Sequence, residues 1–354
     1  MNSEPTSQTP WNSISESIVP DQVIKQDFRK ALQSPCLSCS TSPCCTHLPL
    51  NTFQVRNLME LDHAIYLLNF DRIELGITAD GNWSAYYTYP CRFLDRQSFH
   101  CTIHEQPEQP NICANYNPYS CWYKKSFTKS LTPDFLRLDR ERLAHMLPLL
   151  EFDEHGNLTR IPAWDTLSEE ISALPLSPGK AFEEYADDPA LQQNWETKSE
   201  GSGQQTFSAK ELSKPCMTCQ AYCCKTLIFP QNVPVTYANL DYFKFSLGFP
   251  GIELGVSDEG WSIVLKTTCR HLKDDRCSVY GKEERPLLCQ YYDEWKCTYK
   301  VHFGNPHPKD FLRLKLGHFD QLLETITFDE NGHVSSLPSM REVKQYLVAS
   351  SDQN

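Results

Sequence analysis

The sequence predicts an α+β protein made of two homologous, small, cysteine-rich modules with few strands, each stapled by metal. Three observations predict it. All 16 cysteines fall into one pattern of eight written twice. The flanking sequence repeats with them, as IELG at Ile73–Gly76 and Ile252–Gly255, and as DFLRL at Asp134–Leu138 and Asp310–Leu314. Within each copy, stretches with helical spacing of apolar residues alternate with short β-branched and aromatic runs.

The elements follow in the same order in both copies. A cysteine-rich loop opens each one. A mostly helical stretch comes next, in copy one over Phe53–Phe70, with Val55, Leu58, Leu61, Ile65 and Leu68 near helical spacing. A hairpin is predicted for Ile73–Thr78 and Trp83–Tyr89, turning at Asp80-Gly81. Its partner is Ile252–Val256 and Ser262–Thr267, turning at Glu259-Gly260. The later cysteines lie in loops. A helix is then expected over Pro133–Leu150 and over Pro308–Ile326. A two-stranded turn closes each copy around Asp153–Asn157 and Asp329–His333, where FDEHG matches FDENG. The expected boundaries are a disordered N-terminus over 1–29, module one over 30–170, a linker over 171–209 and module two over 210–345. Two copies are too few for a solenoid.

The first octet is Cys36, Cys39, Cys44, Cys45, Cys91, Cys101, Cys113 and Cys121. The second is Cys216, Cys219, Cys223, Cys224, Cys269, Cys277, Cys289 and Cys297. The offset between copies narrows from 180 residues at Cys36 and Cys216 to 176 at Cys121 and Cys297. Two thiolates three residues apart reach one metal from a tight turn, so C-x2-C recurs in zinc and iron–sulfur sites. The adjacent pairs Cys44-Cys45 and Cys223-Cys224 point neighbouring side chains in different directions. Each pair therefore serves two sites, or one site and the core. All 16 cysteines are expected metal ligands. Eight thiols per copy fill two four-thiolate sites, or one such site with four thiols left for exchange chemistry.

Charge and composition exclude several function classes. A net charge of −12 argues against general nucleic-acid or anionic-membrane binding, which need a cationic face. No run approaches the roughly 18 apolar residues of a membrane helix. The polar start, MNSEPTSQTPWNSISESIVP, does not read as a secretory signal, so a reducing cytoplasm is expected and disulfides are disfavoured. No P-loop, HExxH or serine triad motif is present, and none of the 14 glycines builds a glycine-rich cofactor loop.

The opening C-x2-C-x3/4-C-C resembles the YkgJ-type cysteine cluster family, as do C-R-x-L with a cysteine eight to ten residues on and the Pro-x-x-Cys that follows. That family is described as a zinc- or iron-chelating domain. Copy two is similar to it through CRHLKDDRCSVYGKEERPLLC, Cys269–Cys289, including Tyr280, Arg285 and Pro286. In copy one His104 stands in place of Tyr280 and Gln109 in place of Arg285. The resemblance implies metal binding and makes copy two the better candidate for activity. The cysteine cluster is also similar to that of flagellin lysine N-methylases.

Remaining polar residues read as structural. His47 and His100 have Thr226 and Arg276 in copy two and are expected to pack or face solvent. The aromatics around the last cysteines, Tyr116, Tyr119, Trp122, Tyr123, Tyr291, Tyr292, Trp295 and Tyr299, are expected to supply core. Asp293-Glu294 is expected to be a solvated loop. The functional expectation is a metal-binding protein for metal handling or electron transfer, with an iron–sulfur cluster preferred over zinc. The alternatives are a zinc-stabilised interaction module and a cluster-dependent, methyltransferase-like enzyme. Metal ions are the expected partners.

Overall fold

The computed structural model describes residues 36, 39, 41–127, 134–176, 216, 219–304 and 311–344. The expected disordered N-terminus, the linker from 177 to 209, the helix starts at Pro133 and Pro308, and the end of module two at 345 lie outside them.

Copy one runs β1 (His47–Phe53), α1 (Leu58–Leu67), β2 (Ile73–Thr78), β3 (Trp83–Thr88), α2 (Asn111–Ala114), α3 (Trp122–Phe127), β4 (Phe135–Leu138), α4 (Arg140–Met146), β5 (Glu151–Phe152), β6 (Leu158–Arg160) and α5 (Trp164–Ser172). Copy two runs β7 (Thr226–Gln231), α6 (Tyr237–Leu247), β8 (Ile252–Ser257), β9 (Gly260–Lys266), β10 (Leu272–Lys273), β11 (Arg276–Cys277), α7 (Leu287–Gln290), α8 (Thr298–Phe303), β12 (Leu312–Leu314), α9 (Leu316–Leu323), β13 (Thr327–Phe328) and β14 (Val334–Ser336). The mixed α+β class is as the sequence predicts. Each copy holds a four-stranded antiparallel sheet, ordered β1-β3-β2-β4 in one and β7-β9-β8-β12 in the other.

Local chemistry explains the helices. The Asn57 side chain accepts from Glu60 N at 2.9 Å and opens α1, while Thr236 and Asn239 form a capping box on α6. Asp153 Oδ1 accepts from His155 N and Asn157 N, and Asp329 Oδ1 repeats this with Asn331 N and His333 N. These closing turns dock on the helix starts, through Leu58 N to Gly156 O and Tyr237 N to Gly332 O, both 2.9 Å.

Two expectations are corrected. Within the stretches expected to be helical from Pro133 and Pro308, the first described elements are strands β4 and β12, and the described helices start at Arg140 and Leu316. The FLRL segment puts Leu136 and Leu138 in one apolar cluster and Phe135 in another, pairs with the edge of β2, and is followed by Asp139, which accepts from Arg142 N at 2.9 Å to start the next helix. Ile171, the first residue of the expected linker, is instead fully buried in α5. The strands β1 and β7 were not foreseen, since the Phe53–Phe70 reading started the element after them.

The repeated motifs IELG and DFLRL belong to one contact. A Cβ at Gly76 would strike the Phe135 ring, and one at Gly255 would strike the Phe311 ring and Ser262 Oγ. Glycine is therefore required where the aromatic ring of the edge strand lies on the sheet. Gly255→Ala is expected to cost about 1–3 kcal/mol by overpacking; urea unfolding of this variant against Gly317→Ala, where nothing lies within 4 Å of the added Cβ, checks it.

The core is shared. Leu48, Leu75, Leu138 and Leu167 of copy one belong to the same continuous apolar cluster as Leu240, Phe249, Leu265 and Phe319 of copy two. Polar contacts run along the same seam: Tyr87 Oη donates to Pro250 O at 2.8 Å, and Tyr242 Oη to Pro49 O at 2.9 Å. Thr267 Oγ1 donates to Asp71 O at 2.8 Å, and Phe70 pairs with Cys269 as an isolated antiparallel bridge.

Candidate metal centres

The eight cysteines of copy one, dispersed from residue 36 to residue 121, all line one cavity of about 150 Å3. Cys44 and Cys45 end a single turn of 3-10 helix that Pro43 begins, with Ser42 before it in the left-handed region at φ 35°. Their sulfurs are 3.9 Å apart. Cys91 follows β3 and is tied to the cluster backbone by its N–H, which donates to Cys45 O at 2.7 Å. Cys113 sits on α2. Cys121 precedes α3, and its sulfur accepts from Lys124 N at 3.3 Å. Phe93, Phe99, Ile103, Ile112 and Tyr123 supply apolar wall.

Burial sets the electrostatics. It pushes Cys91 up to about 11, and it raises Cys101, Cys113 and Cys121 as well; the charge of Cys44 adds to each. Cys44 itself is lowered, because Cys45 hydrogen-bonds to it. Copy two repeats the arrangement. Burial raises Cys216 and Cys289 to about 12 and also raises Cys219 and Cys277, with Cys223 adding to each. Cys223 is lowered by its hydrogen bond with Cys224, and Cys269 is lowered to about 7 by the same neighbour. Cys297 mirrors Cys121, its sulfur accepting from Lys300 N at 3.4 Å. Thiols packed this way resist joint ionisation unless a cation neutralises them.

The donor set fits a soft metal, since thiolates select zinc and iron–sulfur centres. None of the 16 cysteines is joined in a disulfide. Among the described residues, no group of three or more Cys, His, Asp or Glu side chains already converges closely enough to hold a metal ion. The sulfurs line the cavity wall rather than meeting at one point, so a bound metal would require side-chain rotation to bring them together.

The two sites differ in their charged neighbours. In copy two the Arg285 guanidinium stacks 4.4 Å over the Tyr280 ring and acts electrostatically on Cys216, Cys223, Cys277 and Cys289. Tyr280 Oη donates to Glu294 Oε2 at 3.1 Å, and Glu294 also bonds to Cys216. The expectation of a solvated loop therefore holds for Asp293, which caps Trp295 N at 3.0 Å, and not for Glu294. In copy one Gln109 and His104 line the cavity instead, with Gln109 Oε1 accepting from Glu105 N at 2.7 Å.

His47 packs its ring 4.1 Å from that of Phe127, and burial with the Arg137 charge holds its pKa down to about 3. His100 lines the cavity. The aromatics divide: Tyr123 is buried in a cluster with Tyr86, Phe127 and Phe135, while Tyr291 and Trp295 stay about three-quarters exposed at 74% and 75%.

Sequence reasoning missed two glutamate-centred groups of ion pairs. Glu74 takes Arg137 in two hydrogen bonds, of 2.5 and 2.7 Å, and Arg137 Nη1 donates to Phe127 O at 3.2 Å. Glu253 takes Lys266 at 2.6 Å and Arg313 at 3.4 Å, and Arg313 lies over Phe303. Each arginine thus braces the helix that follows the last cysteine. The signal was present, since the glutamate belongs to IELG and the arginine to DFLRL.

Among the described residues no helix is long and apolar enough to cross a membrane. No family model, curated protein or solved structure matches this chain.

Proposed function

We propose that the protein binds metal through its two cysteine octets, as an iron–sulfur centre in preference to zinc, and serves metal handling or electron transfer. The observation that carries this reading is the gathering of Cys36, Cys39, Cys44, Cys45, Cys91, Cys101, Cys113 and Cys121 around one cavity. The resemblance to YkgJ-type proteins rests on the motif alone and points the same way.

Eight thiols around about 150 Å3 are twice the four that one tetrahedral zinc site or one iron–sulfur cluster uses, which leaves donors enough for a polynuclear centre. When bound, such a centre supplies one-electron chemistry. The chain's own residues supply the ligands and exclude water through Phe93, Phe99, Ile112 and Tyr123. Arg285 places a fixed positive charge beside the copy-two thiols, which stabilises anionic states of that site over the copy-one site.

Elemental mass spectrometry of the anaerobically purified protein tests the reading. Iron at about four atoms per copy is expected. One or two zinc atoms per copy without iron would move the function to a structural or zinc-handling scaffold. Absence of both metals would overturn the proposal.

A further inference from the structure

We infer that the two cysteine sites are completed in trans: Asp62 and Asp241 are positioning residues for the site of the opposite copy. As a statement about metal sites, this rests on the metal-binding reading above.

Helix α6 belongs to copy two but grips copy one. Asp241, 5% exposed, accepts from Asn111 N at 2.8 Å through Oδ1 and from Ile112 N at 2.6 Å through Oδ2. These are the first two N–H groups of α2, and Cys113 is the next residue. At the far end of α6, Gly248 O accepts from Arg92 N at 2.9 Å, directly after Cys91. Phe245 and Gly248 line the copy-one cavity, and a Cβ at Gly248 would stand 3.3 Å from Cys91 Sγ. Glycine permits that close approach.

Helix α1 of copy one does the same to copy two. Asp62 Oδ2 accepts from Leu288 N at 3.0 Å, one residue before Cys289 on α7. Asn69 O accepts from Arg270 N at 2.8 Å, directly after Cys269. Tyr66 hydrogen-bonds Tyr299 and lies among Cys223, Cys224 and Cys289. Two helices, matched by the repeat, therefore each hold two cysteine-bearing segments of the other copy.

The physical need is plain. α2 and α7 each span only four residues, Asn111–Ala114 and Leu287–Gln290, too few to be stable alone. Their leading N–H groups have no partner within the helix. A carboxylate satisfies these donors with charge-assisted bonds and suits the positive end of the helix. Proline precedes each helix, so no side chain of the flanking residue caps it. Removing the carboxylate lets the turn fray and the cysteine wander from its octet.

The test is site-resolved alkylation of the full chain with N-ethylmaleimide, read by peptide mass spectrometry, before and after anaerobic loading with iron and sulfide or with zinc. Asp241→Ala is expected to label Cys113 about tenfold faster than in the unaltered protein while Cys289 stays within about twofold; Asp62→Ala is expected to do the reverse. Asp241→Asn and Asp62→Asn keep one acceptor oxygen and should fall between, and they decide the matter if the alanine variants unfold. Labelling that rises in the copy carrying the substitution, or equally in both, would overturn the inference. If the unaltered protein takes up neither metal, the metal reading fails, while the crossed alkylation pattern of the metal-free chain still decides this one.

Discussion

Cys44→Ser is expected to empty the copy-one site and leave copy two loaded, and Cys223→Ser is expected to do the converse. Cys44 is the thiol that acts on Cys45, Cys91, Cys101, Cys113 and Cys121, which places it at the centre of its octet. Cys223 holds the same place beside Cys216, Cys219, Cys277 and Cys289. A serine hydroxyl is a hard, weakly acidic donor and a poor substitute for a thiolate on a soft metal. The affinity of the altered site should fall by more than about 100-fold, since outer-shell changes alone cost about 10–100-fold. Metal per chain, measured after dialysis against a competing chelator, should halve. An unchanged metal content would remove these residues from the ligand set. Cys44→Ser and Asp241→Ala should weaken the same site although residue 241 lies in the other copy.

Glu253→Ala is the second large effect, this time on stability. Its carboxylate is 5% exposed and lies between Lys266 at 2.6 Å and Arg313 at 3.4 Å. Alanine would leave the half-buried Lys266 and Arg313 without their counter-charge, at a cost approaching about 3 kcal/mol, the lower end for a broken buried pair. Removing Asp134 from its exposed contact with Lys125 should cost no more than about 1 kcal/mol. Chemical denaturation of the two variants side by side checks the contrast. Equal losses would mean that Glu253 is better solvated than its surroundings allow. Because Arg313 lies over Phe303 on the helix after Cys297, this variant should also loosen that cysteine.

The repeat itself was readable, and with it most of the local structure. Period-two runs and the Asp80-Gly81 turn located the β2–β3 hairpin nearly to the residue, with Gly81 at φ 84°. The closing turns were legible because an aspartate that caps its own loop leaves a local signature. β1 was not, since Pro49 interrupts the run and a strand containing proline reads as a poor candidate. β4 was mistaken for helix because four residues are too few to separate period two from period 3.6. At the site, the cysteine spacing marked the ligand candidates without revealing the shared cavity. The Asp241 and Asp62 contacts span 130 and 226 residues, and no local pattern encodes a partner that far away.

The crossed helices carry a consequence for how such a chain is assembled. Asp62 reaching Leu288 while Asp241 reaches Ile112 is the reciprocity of an isologous dimer, in which each half offers the other the same surface. Two separate half-chains would satisfy the same bonds by dimerising. Fusion turns that encounter into an intramolecular one, at an effective concentration set by the tether rather than by expression. It also guarantees that unlike halves meet. A free homodimer would place Arg285 in both sites or in neither; the fused chain keeps one cysteine octet with Arg285 and one with Gln109, and so holds two chemically distinct octets in a fixed one-to-one ratio.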